Sequence, residues 1–203
     1  MFGWLRRLFS TSKVADDLAL HPADGHIKPL RIRSYTPNDF AACREFYVLN
    51  EPGRFPEGVL PEFEKSLQSE RSIYLVAEKD GVLCGCGGVV IIEQHGRAAL
   101  CFGLVHPEYH KQGIGTALLL ARIAILPEDQ WFVTLSPVPA SRSFYERFNF
   151  REFTRFQGTG GVIMPLHYAR VSPDTSGLCR KRLIDAGVTL DVSTMPSPIR
   201  GQQ

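Results

Sequence analysis

Val105-His106-Pro107-Glu108-Tyr109-His110-Lys111-Gln112-Gly113-Ile114-Gly115-Thr116-Ala117-Leu118-Leu119 decides how the rest of the chain is read. An apolar strand, Leu100 to Val105, stops at a proline. A short basic loop with two glycines follows, and then an apolar helix begins. Strand, glycine loop and helix N-terminus in that order aim several backbone N–H groups and the positive helix end at one spot. Such a spot suits phosphate. Gly113 and Gly115 let the backbone approach an anion without a Cβ in the way. A lone Gly-x-Gly also serves plain turn geometry in many loops. Neither standard nucleotide loop fits: there is no G-x-x-x-x-G-K-[ST], and Leu118 stands where G-x-G-x-x-G needs its third glycine.

Working outward, Trp131 to Ser136 reads as the next strand, and Ser141 to Phe148 as a helix ending at Asn149-Phe150. Upstream, Leu30 to Tyr35 is a short strand. Thr36-Pro37-Asn38-Asp39 opens a helix to about Leu49, a capping residue being followed by Pro at the first position. Pro61 to Gln68 forms a second short helix after a loop rich in breakers. Ile73 to Glu78 and Val82 to Ile92 are strands. The Asp80-Gly81 pair between them is a hairpin signal. Ala98 to Val105 follows as a strand. Arg151 to Phe156 and Gly161 to Leu166 read as a final hairpin around Gly158-Thr159-Gly160-Gly161. Ser172-Pro173-Asp174 caps a helix through about Ala186, closed by Gly187, and Val188 to Val192 is a candidate for one more strand. His21 to Gly25 reads as linker, and Met195 to Gln203 as a polar, disordered end.

This arrangement resembles the GNAT superfamily of acyl-CoA-dependent N-acyltransferases. The likeness rests on Val105, Pro107, Tyr109, Gly113 and Gly115 in the loop, and on Phe144-Tyr145-Glu146 with Asn149-Phe150 after it. Ile32-Arg33-Ser34-Tyr35-Thr36-Pro37-Asn38-Asp39-Phe40 is similar to the family's first strand and its entry to the first helix. The resemblance implies an α/β fold: a mixed, mostly antiparallel twisted sheet of about six to seven strands, helices on both faces, and splayed central strands. It divides the chain into an amphipathic segment and linker (1–28), an acetyltransferase domain (29–166) and a C-terminal extension (167–203).

The function implied is transfer of an acetyl group from acetyl-CoA, as co-substrate, to a primary amine of a small molecule or a protein, by direct attack in a ternary complex. The rival is a non-catalytic acyl-CoA-binding or interaction module of the same fold. By the resemblance, backbone groups near Leu104 and Val105 pair with the pantetheine arm and polarise the thioester carbonyl. His110, Lys111 and the N–H groups of Gln112, Gly113, Ile114, Gly115 and Thr116 form the pyrophosphate site, and Ser141 lies beside the coenzyme. Tyr145 matches the residue that protonates the leaving thiolate. Departures are His110 where the family prefers Arg or Gln, Val138 and Ser141 where Asn and Ala are frequent, and Asn149 in place of Gly. Asn tolerates the left-handed turn.

The general base is not identified: Glu93, His95 and Glu51 are candidates, while Ser136 and Thr134 could order a water. The acceptor enters over the Leu49 to Pro61 loop, which holds Glu51, Arg54 and Glu57, and over the Gly158 to Gly161 turn. Ser136 completes the substrate-side set. Cys101 could suggest an acyl-cysteine relay; a Cys inside an apolar strand is more simply packing.

Composition narrows the alternatives. A net charge of +2 over 203 residues gives no basic stripe for nucleic acid. The longest apolar run is too short to span a bilayer. Phe2, Leu5, Leu8 and Phe9 recur at helical spacing with Arg6 and Arg7 opposite, a short amphipathic helix that docks on the body or touches a membrane or partner. It shows no cleavage site. Five cysteines, an odd number, read as reduced thiols of a cytoplasmic protein. Cys84 and Cys86 share one strand face, and no second pair completes a metal site. Oligomeric state is not legible.

Overall fold

The computed structural model describes residues 16–20, 27–51, 55–92, 96–127, 131–158 and 161–192. The amphipathic segment at 2–9, the linker at 21–25, Arg54, Glu93, His95 and the end from Met195 lie outside them.

Alternation of apolar residues and well-placed turns builds the first half of the sheet. Strand β1 (Leu30–Ser34) pairs antiparallel with β2 (Ser72–Lys79), which pairs with β3 (Val82–Ile92). Asp80 and Gly81 both take positive φ, 52° and 79°. That is the twist a tight hairpin needs. β3 pairs antiparallel with β4 (Arg97–Val105). β5 (Trp131–Leu135) then runs parallel to β4. β7 (Ile163–Val171) inserts between β5 and β6 (Arg151–Gln157), antiparallel to both.

The sheet has eight strands in the order β6-β7-β5-β4-β3-β2-β1-β8. This corrects the expectation of six to seven. The additional strand is β8 (Val188–Asp191), laid parallel along β1. It covers an edge whose N–H and C=O groups would otherwise be open. The mostly antiparallel character and the helices on both faces are as expected.

Helices α1 (Phe40–Asn50) and α2 (Leu60–Leu67) pack on one face. There Cys43, Phe46, Tyr47 and Phe63 bury against Tyr74, Val76, Cys86 and Leu104. The entry to α1 is a 3-10 turn, Pro37–Asp39, rather than a continuous helix from Pro37. Asp39 fixes it by accepting from the Thr36 N–H at 2.8 Å and the Thr36 hydroxyl at 3.0 Å.

Helix α3 (Ile114–Ala124) and α5 (Pro173–Asp185) occupy the other face. α3 is apolar but for Thr116 and Arg122 and nearly wholly buried, as a helix sandwiched between sheet and helix must be. α5 covers its outer side with Cys179 and Leu183. The Arg180 guanidinium donates to the Ala124 carbonyl at 2.8 Å, satisfying an orphan acceptor at the end of α3. Helix α4 (Arg142–Glu146) is shorter than its pattern suggests and follows a 3-10 turn, Pro139–Ser141. Asn149 ends the segment at φ 63°, the left-handed conformation anticipated for it.

Candidate active site

The centre of the sheet is split. β4 and β5 pair only at Arg97↔Phe132, Ala98↔Val133 and Ala99↔Thr134. β4 then continues to Val105 and β5 to Leu135 without meeting. A bulge helps turn β4 away. Cys86 faces Leu104 and Gly88 faces Cys101, so Phe102 and Gly103 together oppose Gly87. Phe102 takes φ 41° there. The result is a V with strand edges that have no partner strand across the gap. A cavity of about 530 Å³ fills it.

At the open end stands the loop that the sequence singled out. Lys111 (φ 59°) and Gly113 (φ 84°) are both left-handed, and Gly113 is the N-cap of α3. No side chain caps that end. Its first N–H groups, at Ile114 and Gly115, therefore have no intrahelical acceptor. A β-carbon on Gly115 would lie 3.8 Å from both Val105 and Phe144. The first turn of α3 thus sits between the end of β4 and α4.

His110 does not turn toward that anion site. Its Nε2 donates to the Val105 carbonyl at 2.9 Å, which fixes the tautomer. Asn50, buried at the end of α1, donates to the same oxygen at 2.9 Å and to Phe46 at 2.8 Å. Val105's carbonyl is thereby occupied, leaving the neighbouring backbone groups for a ligand. Gln112 is held by Lys79 at 3.0 Å and itself donates to the Glu108 carbonyl at 3.1 Å. These bonds brace the loop without using its N–H groups.

Tyr145, Ser141 and Ser136 all line the cavity, as do Val138, Thr134 and Cys101. Ser136 donates to the Pro165 carbonyl at 2.8 Å, Ser141 to Val138 at 3.1 Å and Thr134 to Ala98 at 3.2 Å. Their hydroxyl oxygens remain acceptors. Burial raises the Cys101 thiol pKa, against smaller downward pulls from Tyr74 and Arg122. A thiol kept protonated is a poor acyl-relay nucleophile.

Sequence reasoning missed several residues of this wall. Phe55, Pro56, Val59, Glu62 and Phe102 form the side nearest α1 and α2. Tyr47 stacks behind them, 4.8 Å from Phe55 and 5.3 Å from Phe63 between ring centroids. Among the described residues its hydroxyl is buried without a hydrogen-bond partner, and burial pushes its pKa up to about 12, with Glu51 and Glu62 adding. Glu51 is near this wall but does not line the cavity, and Glu57 does not line it either. Arg122 was also missed. The signal was present: it is the one charged residue in the apolar run Ile114 to Ala124.

The sequence matches a family profile, Acetyltransferase (GNAT) family, over residues 40–150, more than half the chain. No curated protein sequence matches it. Among solved structures it is similar to a GNAT-family acetyltransferase from Desulfovibrio desulfuricans, with 17% identity and a TM-score of 0.57 over 68% of this chain and 97% of that one. It is also similar to the ribosomal-protein-S18-alanine N-acetyltransferase of Escherichia coli (21% identity, TM-score 0.52, 70% of this chain and 93% of that one). A third is the PaiA N-acetyltransferase of Thermoplasma acidophilum in complex with coenzyme A (18% identity, TM-score 0.53, 70% of this chain and 98% of that one). At such identities the likeness speaks for the fold.

Proposed function

The chain belongs to the GNAT family of acetyltransferases, and from that premise we propose that it moves an acetyl group from acetyl-CoA to a primary amine by direct attack. The observation that carries this reading is the V between β4 and β5, with Tyr145 on its wall and the uncapped start of α3 at its mouth. Pantetheine is an extended chain of amides, and unpaired strand edges are the partners it needs. The free N–H groups at Ile114 and Gly115, with Lys111 beside them, suit the pyrophosphate. The loop and its braces fit this group: among the described residues no side chain caps the start of α3.

In this reading the thioester lies between Leu104 and Tyr145. Backbone N–H groups of the bulged strand polarise its carbonyl. The amine arrives from the aromatic side, past Phe55 and Phe102. Glu62 on that wall favours a cationic acceptor; small-molecule and protein amines both fit. Attack forms the C–N bond and breaks C–S, and Tyr145 gives the departing sulfur its proton. The tyrosinate recovers a proton from the one the amine loses. Ser136 and Thr134 are placed to order the water that carries it. Residues 29–166 are the proposed catalytic unit, with 167–203 extending it. Buried free thiols at Cys43, Cys84, Cys86 and Cys179 suit a reducing, cytoplasmic setting.

Thiol release from acetyl-CoA, measured across a panel of primary amines, tests the proposal. Tyr145→Phe should keep acetyl-CoA affinity and lower turnover by about 100-fold or more. Binding with no Tyr145-dependent turnover on any amine would favour the non-catalytic reading.

A further inference from the structure

Arg122 is 2% exposed, in the middle of an apolar helix. Its guanidinium donates to two carbonyls, Nε to Leu118 at 3.0 Å and Nη1 to Gly88 at a long 3.4 Å. Among the described residues it forms no ion pair, and its side-chain hydrogen bonds run from Nε and Nη1 alone. A buried cation held only by neutral dipoles is an arrangement proteins avoid unless an anion comes to it. The sheet is also opened to receive it. A β-carbon on Gly87 would lie 3.1 Å from its Cζ and Nε, and one on Gly103 would lie 3.0 Å from Nη2.

The same point above Gly103 is 3.2 Å from the Tyr145 hydroxyl. Arg122 and Tyr145 therefore face one spot on the cavity floor, both among its lining residues. The other titratable groups around that floor are Cys101 and Cys86, which feel the Arg122 charge, and Glu62 on the far wall. Glu62 lines the cavity from α2.

Resting on the acyl-CoA reading above, we propose that Arg122 is a second catalytic group, holding the thiolate of CoA as it departs. When the amine nitrogen bonds to the carbonyl carbon, the C–S electron pair goes to sulfur. The guanidinium neutralises that charge in a site with little water, where the interaction is strongest. Tyr145 then delivers the proton, giving CoA as the free thiol and the amide as product. Two neighbouring groups divide the work: one carries charge, the other moves the proton.

The test needs no acceptor. CoA and desulfo-CoA are titrated into the native protein in buffers of different ionisation enthalpy, and thiolate absorbance of bound CoA is followed against pH. Arg122 should hold the bound thiol's pKa about one to three pH units below that of free CoA. CoA binding then releases a fraction of a proton that grows as pH rises from 7 through the bound thiol's pKa, and desulfo-CoA binding does not. Arg122→Gln should abolish the release while desulfo-CoA affinity stays within about threefold of native. Arg122→Lys, which keeps the charge, should retain part of it and covers the case in which the Gln variant does not fold.

Equal behaviour of CoA and desulfo-CoA on the native protein overturns the proposal while leaving the binding site standing. Release that persists in Arg122→Gln, or in a folded Arg122→Lys at full strength alongside an unfolded Gln variant with no effect of charge position, also overturns it. Tighter binding of succinyl-CoA than acetyl-CoA without proton release would assign the cation to a carboxylate on the acyl chain instead. If neither CoA nor desulfo-CoA binds, the acyl-CoA reading itself fails.

Discussion

Asp39 shows how much one side chain can fix. It is 5% exposed and takes two hydrogen bonds from Arg33, each 2.8 Å, besides those from Thr36. Burial alone would raise its pKa, but Arg33 and Thr36 together hold it below the ordinary 3.8. A depressed folded pKa means that the unfolded chain binds the proton more readily. The stabilisation is therefore complete above the ordinary carboxylate pKa and disappears as pH falls through the lower folded value. Asp39→Asn should cost about 2–3 kcal/mol at pH 7 in urea unfolding. The gap to native should shrink below pH 4; a gap that stays constant into acid would refute the ion-pair account. Asp39 was legible as a capping residue. Its tie to Arg33 was not, since nothing local links strand and turn. His110 was read as part of the phosphate site and a departure from the family's Arg or Gln, and its Nε2 donates to the Val105 carbonyl. Arg122 was passed over because helix periodicity hides which side chain reaches through the sheet.

The strands were legible because each carries its own alternation and its own turn chemistry, as Asp80-Gly81 does for β2 and β3. The parting of β4 from β5 was known only through the resemblance. It depends on where pairing stops and on a bulge that leaves no mark in the sequence beyond Gly103. That glycine keeps Arg122 and Tyr145 close to the β4 backbone. Gly103→Ala would push both back by a few tenths of an ångström. Turnover should fall about tenfold or more with acetyl-CoA affinity kept, since small misplacements at reacting groups are costly. Native turnover in a folded Gly103→Ala would show that this close approach is idle. The α4 segment was read too long because Phe144, Tyr145 and Phe148 keep helical spacing past the point where hydrogen bonding shifts to Phe148→Tyr145.

From Leu166 to Val192 the chain is woven into the molecule. β7 runs on to Val171, α5 buries Cys179 and Leu183 against α3, and β8 seals the edge at β1. Each element was legible but not its destination, because α5 carries the chain from β7 past five strands before β8 reaches β1. Through α3 this segment supports both the phosphate loop and Arg122. Leu183→Ala should destabilise the protein by about 2–5 kcal/mol in denaturant unfolding and leave acetyl-CoA affinity in the folded protein unchanged. A loss under 1 kcal/mol, on the order of a tolerated surface change, would mean α5 is not part of the core.

The most direct test of acyl-CoA binding in the V is a calorimetric titration of acetyl-CoA into the native protein and Gly115→Glu, with thermal melts of both. Gly115 has ordinary van der Waals room for a β-carbon, so the variant should fold, while its carboxylate occupies the place proposed for the pyrophosphate. One-to-one binding to the native protein is expected, weakened at least about tenfold in a variant with a native-like melt. No binding to the native protein, or equal binding to a well-folded variant, would contradict it.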